Sequence, residues 1–189
     1  MLSEKRDKKD SVSSYSEIFR AKTFFKIRFE HNWNMQTHRH PNVEFFYLTS
    51  GSALLKYNDS EAQQINARQF IIIKPNVPHR LVILSEYCDA LILELCHGSN
   101  SADLAKFIAR SREFGKYKPI ASLFNSENSV SFFMDTGNVF TPMSRILTIL
   151  KARMEGDENE FFELEYEIQI KLLLMSISRC QRPDIYCKT

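Results

Sequence analysis

The chain of 189 residues is poor in several features that would assign it to a class at once. Its four cysteines, Cys88, Cys96, Cys180 and Cys187, include no C-x-x-C pair. That excludes a zinc-ribbon or dithiol redox motif, and Cys88 and Cys96 are expected to be small core hydrophobes. No apolar run is long enough to span a bilayer and no secretory signal opens the sequence, so no membrane partner and a cytoplasmic location are expected. Charge of one sign is scarce too. The 25 Lys and Arg against 23 Asp and Glu leave a net charge of +2, short of what a domain that neutralises many phosphates carries. Nothing resembles two helices joined by a tight turn with basic residues on the second, so this segment alone is not expected to grip DNA.

What is present is apolar and aromatic: 43% hydrophobic residues and fifteen phenylalanines, enough to pack one domain with an appended subdomain. Residues 1–17 are rich in Lys, Asp and Ser and are expected to form a mobile N-terminal arm. Residues 18–98 break into short β-type runs, Thr23 to Phe29, Val43 to Thr49, Ala53 to Tyr57, Phe70 to Ile73, Leu81 to Leu84 and Ala90 to Leu95. Turn formers such as Gly51-Ser52 and Pro75-Asn76-Val77-Pro78 separate them, which predicts a mainly β sandwich or barrel.

The pattern changes after residue 98. Residues 99–138 form a connecting segment, helical over residues 101–112 and without a clear period from 113 to 138. Residues 139–182 are predicted to be a helical subdomain. Its first helix has Met143, Ile146, Leu147, Leu150 and Met154 on one face, Thr141-Pro142 as its start and Gly156 as its stop. The last helix, about residues 160–180, carries two apolar stripes at 100° per residue. One holds Phe161, Leu164, Ile168, Leu172 and Met175; the other holds Phe162, Tyr166, Ile170, Leu173 and Ile177. One stripe is expected to pack on the domain and the other to meet a second copy of the chain, giving a homodimer. The alternative is a helix buried on both sides within one chain.

Chemistry concentrates in one stretch. His38, His40 and Glu44 stand at H-x-H-x3-E spacing with Gly51 seven residues beyond the glutamate, and His79 follows in Pro-His-Arg. Imidazoles and a carboxylate are ligands for iron, manganese, nickel or zinc. Alternate strand residues share a face, so His38 and His40 can point one way, although Pro41 and Asn42 interrupt the alternation before Glu44. Without a metal, the same groups can hydrogen-bond a hydroxylated ligand. Trp33 and Tyr47 are either stacking partners for a ligand or core aromatics. Arg39 and Arg80, of opposite parity to their donor neighbours, are expected to face away.

These residues resemble the cupin signature, whose first motif is G-x5-H-x-H-x3-4-E-x6-G and whose second is G-x5-P-x-G-x2-H-x3-N. The first fits from His38 to Gly51, with Asn32 at its leading glycine. In the second, Arg68 and Asn76 stand at the glycines, Ile83 at the asparagine, and His79 at the histidine. The resemblance implies a double-stranded β-helix (jelly-roll) barrel, here followed by an antiparallel helical pair. The order of barrel and helices, over roughly residues 20 to 189, is similar to the effector-binding and dimerisation part of AraC-type transcriptional regulators. That resemblance implies a sensor of a small-molecule effector, dimeric, with residues 183–189 as the start of a linker and DNA reached only through a domain outside this sequence. It also implies that the chain is not an enzyme. The competing readings are a metal-dependent cupin oxygenase or isomerase, and a stand-alone dimeric small-molecule-binding cupin.

Overall fold

Side-chain alternation along the strands decides the architecture. The computed structural model describes residues 20–58, 61–96, 128–157 and 159–180. The expected arm over residues 1–17, the helix over residues 101–112 and the linker over residues 183–189 lie outside the described residues. Among the described residues eight strands follow in chain order: β1 (Arg20–Glu30), β2 (Val43–Ser50), β3 (Ser52–Tyr57), β4 (Glu61–Asn66), β5 (Gln69–Ile73), β6 (His79–Ile83), β7 (Tyr87–Cys96) and β8 (Val130–Met134). They form a five-stranded sheet in the order β1-β7-β2-β5-β8 and a three-stranded sheet in the order β4-β3-β6. Every pairing is antiparallel. Two helices come last, α1 (Phe140–Met154) and α2 (Phe162–Cys180). The fold is thus the mostly β cupin fold with two C-terminal helices.

Two apolar cores result. Phe46, Leu48, Ile71, Ile73, Ala90 and Ile92 of the larger sheet face Ala53, Leu55, Leu81 and Ile83 of the smaller one and fill the barrel. The intervening residues Val43, Phe45, Tyr47, Phe70, Ile72, Leu91, Leu93 and Leu95 face outward and are covered by Met143, Ile146 and Leu150 of α1 and by Tyr166, Ile170 and Leu173 of α2. Central strands buried on both faces read as unbroken apolar runs, as Phe45 to Leu48 and Phe70 to Ile73 do. β4 is different. Glu-Ala-Gln-Gln-Ile-Asn lies at the edge of the smaller sheet with only Ile65 buried, a polar edge that discourages further strand pairing.

Three turns take left-handed backbone without glycine: Asn32 (φ 62°), Arg68 (φ 66°) and Asn76 (φ 63°). These are the three positions where the cupin motifs carry glycine. The departures in sequence therefore keep the turn geometry, with two of the three filled by asparagine, the non-glycine residue that tolerates this conformation best. Gly51 (φ 79°) is a real requirement. A Cβ there would collide with the Tyr87 carbonyl oxygen and the Ser85 hydroxyl.

β8 arises in the segment that shows no clear period in sequence, and it closes the larger sheet against β5. It also places the helices. Asp135, just past β8, accepts hydrogen bonds from the backbone N–H of Val139 (2.7 Å) and Phe140 (3.1 Å) at the start of α1, and from the Tyr47 hydroxyl (2.9 Å). One carboxylate thereby satisfies unpaired donors at a helix N-terminus and ties that end to β2.

Of the two stripes on α2, the one holding Phe162, Tyr166, Ile170, Leu173 and Ile177 is buried on the barrel. Those five are corrected as dimer-contact candidates, because the chain's own sheet already occupies them. Leu164, Ile168 and Leu172 of the other stripe are 56%, 44% and 42% exposed, and Phe161 beside them is 58% exposed. No described helix is long and apolar enough to cross a membrane.

Candidate metal centre

The segment between β1 and β2 carries two of the donors, and β6 holds it in place. Met35 N donates to Leu81 O, and His38 and His79 exchange backbone hydrogen bonds in both directions at 3.0 and 2.9 Å. The chain then leaves the ladder at Pro41 and Asn42 and enters β2 at Val43. This break turns His40 back toward the barrel. Asn76 N donates to His40 O at 2.8 Å and fixes the turn that precedes His79. Glu44 shares the inner side of β2 with Phe46 and Leu48, and His79 shares the inner side of β6 with Leu81 and Ile83.

His38, His40, Glu44 and His79 meet at one end of the barrel. Each offers one ligand atom, and these four atoms lie within 4.8 Å of one another. His40 Nε2 is 2.8 Å from Glu44 Oε2, and His79 Nε2 is 3.1 Å from the same oxygen. Glu44 and His79 are buried, His40 is half-buried and His38 is exposed, so the cluster opens to solvent on the His38 side.

Each ring is oriented by its other nitrogen. His38 Nδ1 lies 3.2 Å from Gln36 O, His40 Nδ1 3.0 Å from Asn42 O, and His79 Nδ1 2.9 Å from Val77 O. A carbonyl only accepts, so all three Nδ1 atoms carry the proton and donate it. All three Nε2 atoms then present a lone pair unless they are doubly protonated. Nε2 lone pairs facing carboxylate oxygens repel, and either a proton on His40 Nε2, 2.8 Å from Glu44, or a shared cation removes the conflict. His79 Nε2 makes the point directly: it is buried, too poorly aligned to hydrogen-bond Glu44, and without a partner. These residues fit a divalent metal, since histidine ligands donate their remote N–H to a carbonyl or carboxylate in this way.

The electrostatics show how tightly the four groups are coupled. Burial pushes the Glu44 carboxyl up, but the contacts from His40 and His79 outweigh it and hold the group at about 2. Burial lowers His40, and the Glu44 hydrogen bond with the nearby Glu94 charge more than reverses this, leaving it raised. Burial and the neighbouring His79 keep His38 below its ordinary value.

Other expected site residues lie elsewhere. Tyr47 is corrected as a ligand contact: it faces the helices, parallel to Phe70 and donating to Asp135, because it has opposite parity to Glu44. Trp33 is corrected too. Its carbonyl pairs with Ile83 at the end of β6 away from His79, and its ring packs on Phe29. Arg80 has opposite parity to His79, as expected, and Arg39 is exposed.

Sequence reasoning missed Glu94. The register of β7 on β2 sets it directly beside Glu44, and Asn42 Nδ2 donates to its Oε2 at 2.8 Å. A single acid inside the apolar run Leu91 to Cys96 was its only signal in sequence.

No curated protein matches the chain. Among solved structures, it is similar to the DMSP lyase DddQ from Ruegeria pomeroyi (15% identity over 44% of this chain and 40% of that one, TM-score 0.38). It is likewise similar to an RmlC-like cupin family protein from Methanocaldococcus jannaschii (19%, 49% and 86%, TM-score 0.38). A third is Bacillus subtilis oxalate decarboxylase, described with Mn(II) centres (20%, 58% and 29%, TM-score 0.38). The matched part spans about two fifths of the length of the DMSP lyases. The expectation that the chain is not an enzyme is corrected: the similar structures include lyases and a decarboxylase, and the likeness to them is one of fold alone. Residues 25–96 match the family described as Cupin domain, a span that contains His38, His40, Glu44 and His79.

Proposed function

We propose that the barrel mouth is a metal centre at which a small organic ligand is bound and activated, making the protein a metal-dependent cupin of the oxygenase or isomerase kind. The observation that carries this reading is the set of three Nδ1–carbonyl bonds, which aim three Nε2 atoms at one buried carboxylate. Zinc, nickel, manganese or iron held by His38, His40, Glu44 and His79 would supply Lewis acidity and open positions for a ligand. The chain's own residues do the rest. Glu44 contributes the negative charge, the carbonyls of Gln36, Asn42 and Val77 fix the rings, and the buried side of the cluster excludes water. The ligand enters past His38.

Elemental analysis of protein purified without added metal tests this. About one equivalent of a first-row divalent ion is expected, and His40→Ala should lose most of it. Full stoichiometry in the variant would remove His40 from the site.

A second reading is favoured by the exposed stripe of Leu164, Ile168 and Leu172: the same site as the effector pocket of an AraC-type regulator, dimeric through α2, with DNA contacted by another domain. The Tyr47–Asp135–α1 connection would carry a change at β2 to the helices. Ile168→Asp should then turn a dimer into a monomer in sedimentation without unfolding it, and a wild-type chain that sediments as a monomer with and without ligand would end this reading.

A further inference from the structure

Glu94 stands outside the four-donor cluster. Alternation along β7 sends Leu91, Leu93 and Leu95 toward the helices and Cys88, Ala90 and Ile92 into the barrel, so Glu94 shares the inner side. The register makes it a cross-strand neighbour of Glu44 on β2 and of Thr23 on β1. Directly opposed carboxylates have Cβ atoms about 4.5–5.5 Å apart and repel. Neither is a solvated surface acid, their side chains being 8% and 14% exposed. Neither pairs with a lysine or arginine among the described residues. Asn42 anchors Glu94 Oε2 at 2.8 Å, and that oxygen lies 3.9 Å from His40 Nδ1. Glu94 Oε1 accepts no hydrogen bond among the described residues. The sheet therefore fixes a second carboxylate beside the cluster, with one of its oxygens free to accept a further hydrogen bond.

We propose that Glu94 is a specificity-determining residue of this site, accepting a hydrogen bond from a hydroxyl group of the ligand and selecting hydroxylated monocarboxylates over dicarboxylates. The inference rests on the metal reading above. Glu44 and Glu94 together cancel the charge of one divalent ion. A dicarboxylate entering such a site brings two further negative charges against Glu94, whereas an α-hydroxy acid brings one and offers Oε1 the donor it lacks. Asn42, held by both Glu94 and His40, keeps that oxygen in place.

Cobalt(II)-loaded protein, followed by its visible absorption while lactate or malonate is titrated in, separates the possibilities. The wild type should prefer lactate by about tenfold or more, the size of one charge-assisted hydrogen bond. Glu94→Gln should shrink that preference about tenfold, chiefly through tighter malonate. Glu94→Asp, which keeps the charge, should still exclude malonate, and it carries the test if the glutamine variant does not fold. A lactate-to-malonate ratio that stays within twofold in Glu94→Gln, or admission of malonate by Glu94→Asp, overturns the proposal while leaving the metal centre standing. Failure of the wild type to take up cobalt overturns the metal reading and this inference with it.

Discussion

The two faces of the five-stranded sheet treat their acidic residues differently. On the outer face, beyond the helices, Asp89 receives both Arg28 Nε and Arg28 Nη2 at 2.8 Å, the Ser50 hydroxyl donates to it at 2.8 Å, and Arg28 lies over the Tyr87 ring. On the inner face, Glu44 and Glu94 sit side by side with imidazoles and one amide for company. An acid that only has to be accommodated is given a guanidinium fork in the open, where desolvation costs little. Two acids buried together without one are what the proposed metal and ligand would offset, with His40 between them. The contrast separates the part of the sheet that is built for stability from the part that is built for binding.

The strongest way to break that separation is to damage the outer core and watch the mouth. Leu150 of α1 is fully buried between α2 and the sheet. Leu150→Ala should cost about 2–5 kcal/mol in urea unfolding, from lost burial plus the cavity left behind. Metal uptake by the folded fraction should be unchanged, because Leu150 contacts the sheet through outward-facing residues and the donors project inward. A metal affinity that falls together with stability would show that the faces are coupled, and would lend weight to a sensor whose helices respond to the site.

The same distinction explains what the sequence made legible. The four donors could be found because three lie within seven residues and the fourth follows a proline turn; spacing alone encodes such a cluster. The break at Pro41 and Asn42 hid the register but did not move the ligands away. Glu94 was invisible because its relation to Glu44 exists only through the pairing of β2 with β7, fifty positions apart. Tyr47 stands three residues from Glu44, and parity alone sends it to the opposite face. The two stripes of α2 were equally apolar, so periodicity could locate both and could not say which one the sheet would take. β8 was lost in Val-Ser-Phe-Phe-Met, five residues too short for a period to stand out, and its partner β5 supplies what local sequence does not. Asn32, Arg68 and Asn76 hid a turn geometry that glycine would have announced.

The smallest effect sharpens the comparison from the outer side, through pH. The hydrogen bonds from Arg28 dominate at Asp89, with a smaller opposing effect of burial and a further contribution from Ser50, and they hold its carboxyl at about 2. An aspartate in the unfolded chain titrates near ~3.9. Between these values the unfolded chain binds more protons than the folded one, so stability falls as pH falls. The contribution of the pair is fully present above about pH 4 and is lost as pH drops through about 2. Asp89→Asn should remove that part of the acid slope in thermal melts between about pH 4 and 2. Because both partners reach solvent, the change should be modest and should shrink further in salt. An unchanged slope would mean that the acid response of the fold comes from the inner carboxylates, and the division of labour between the two faces would then have to be redrawn.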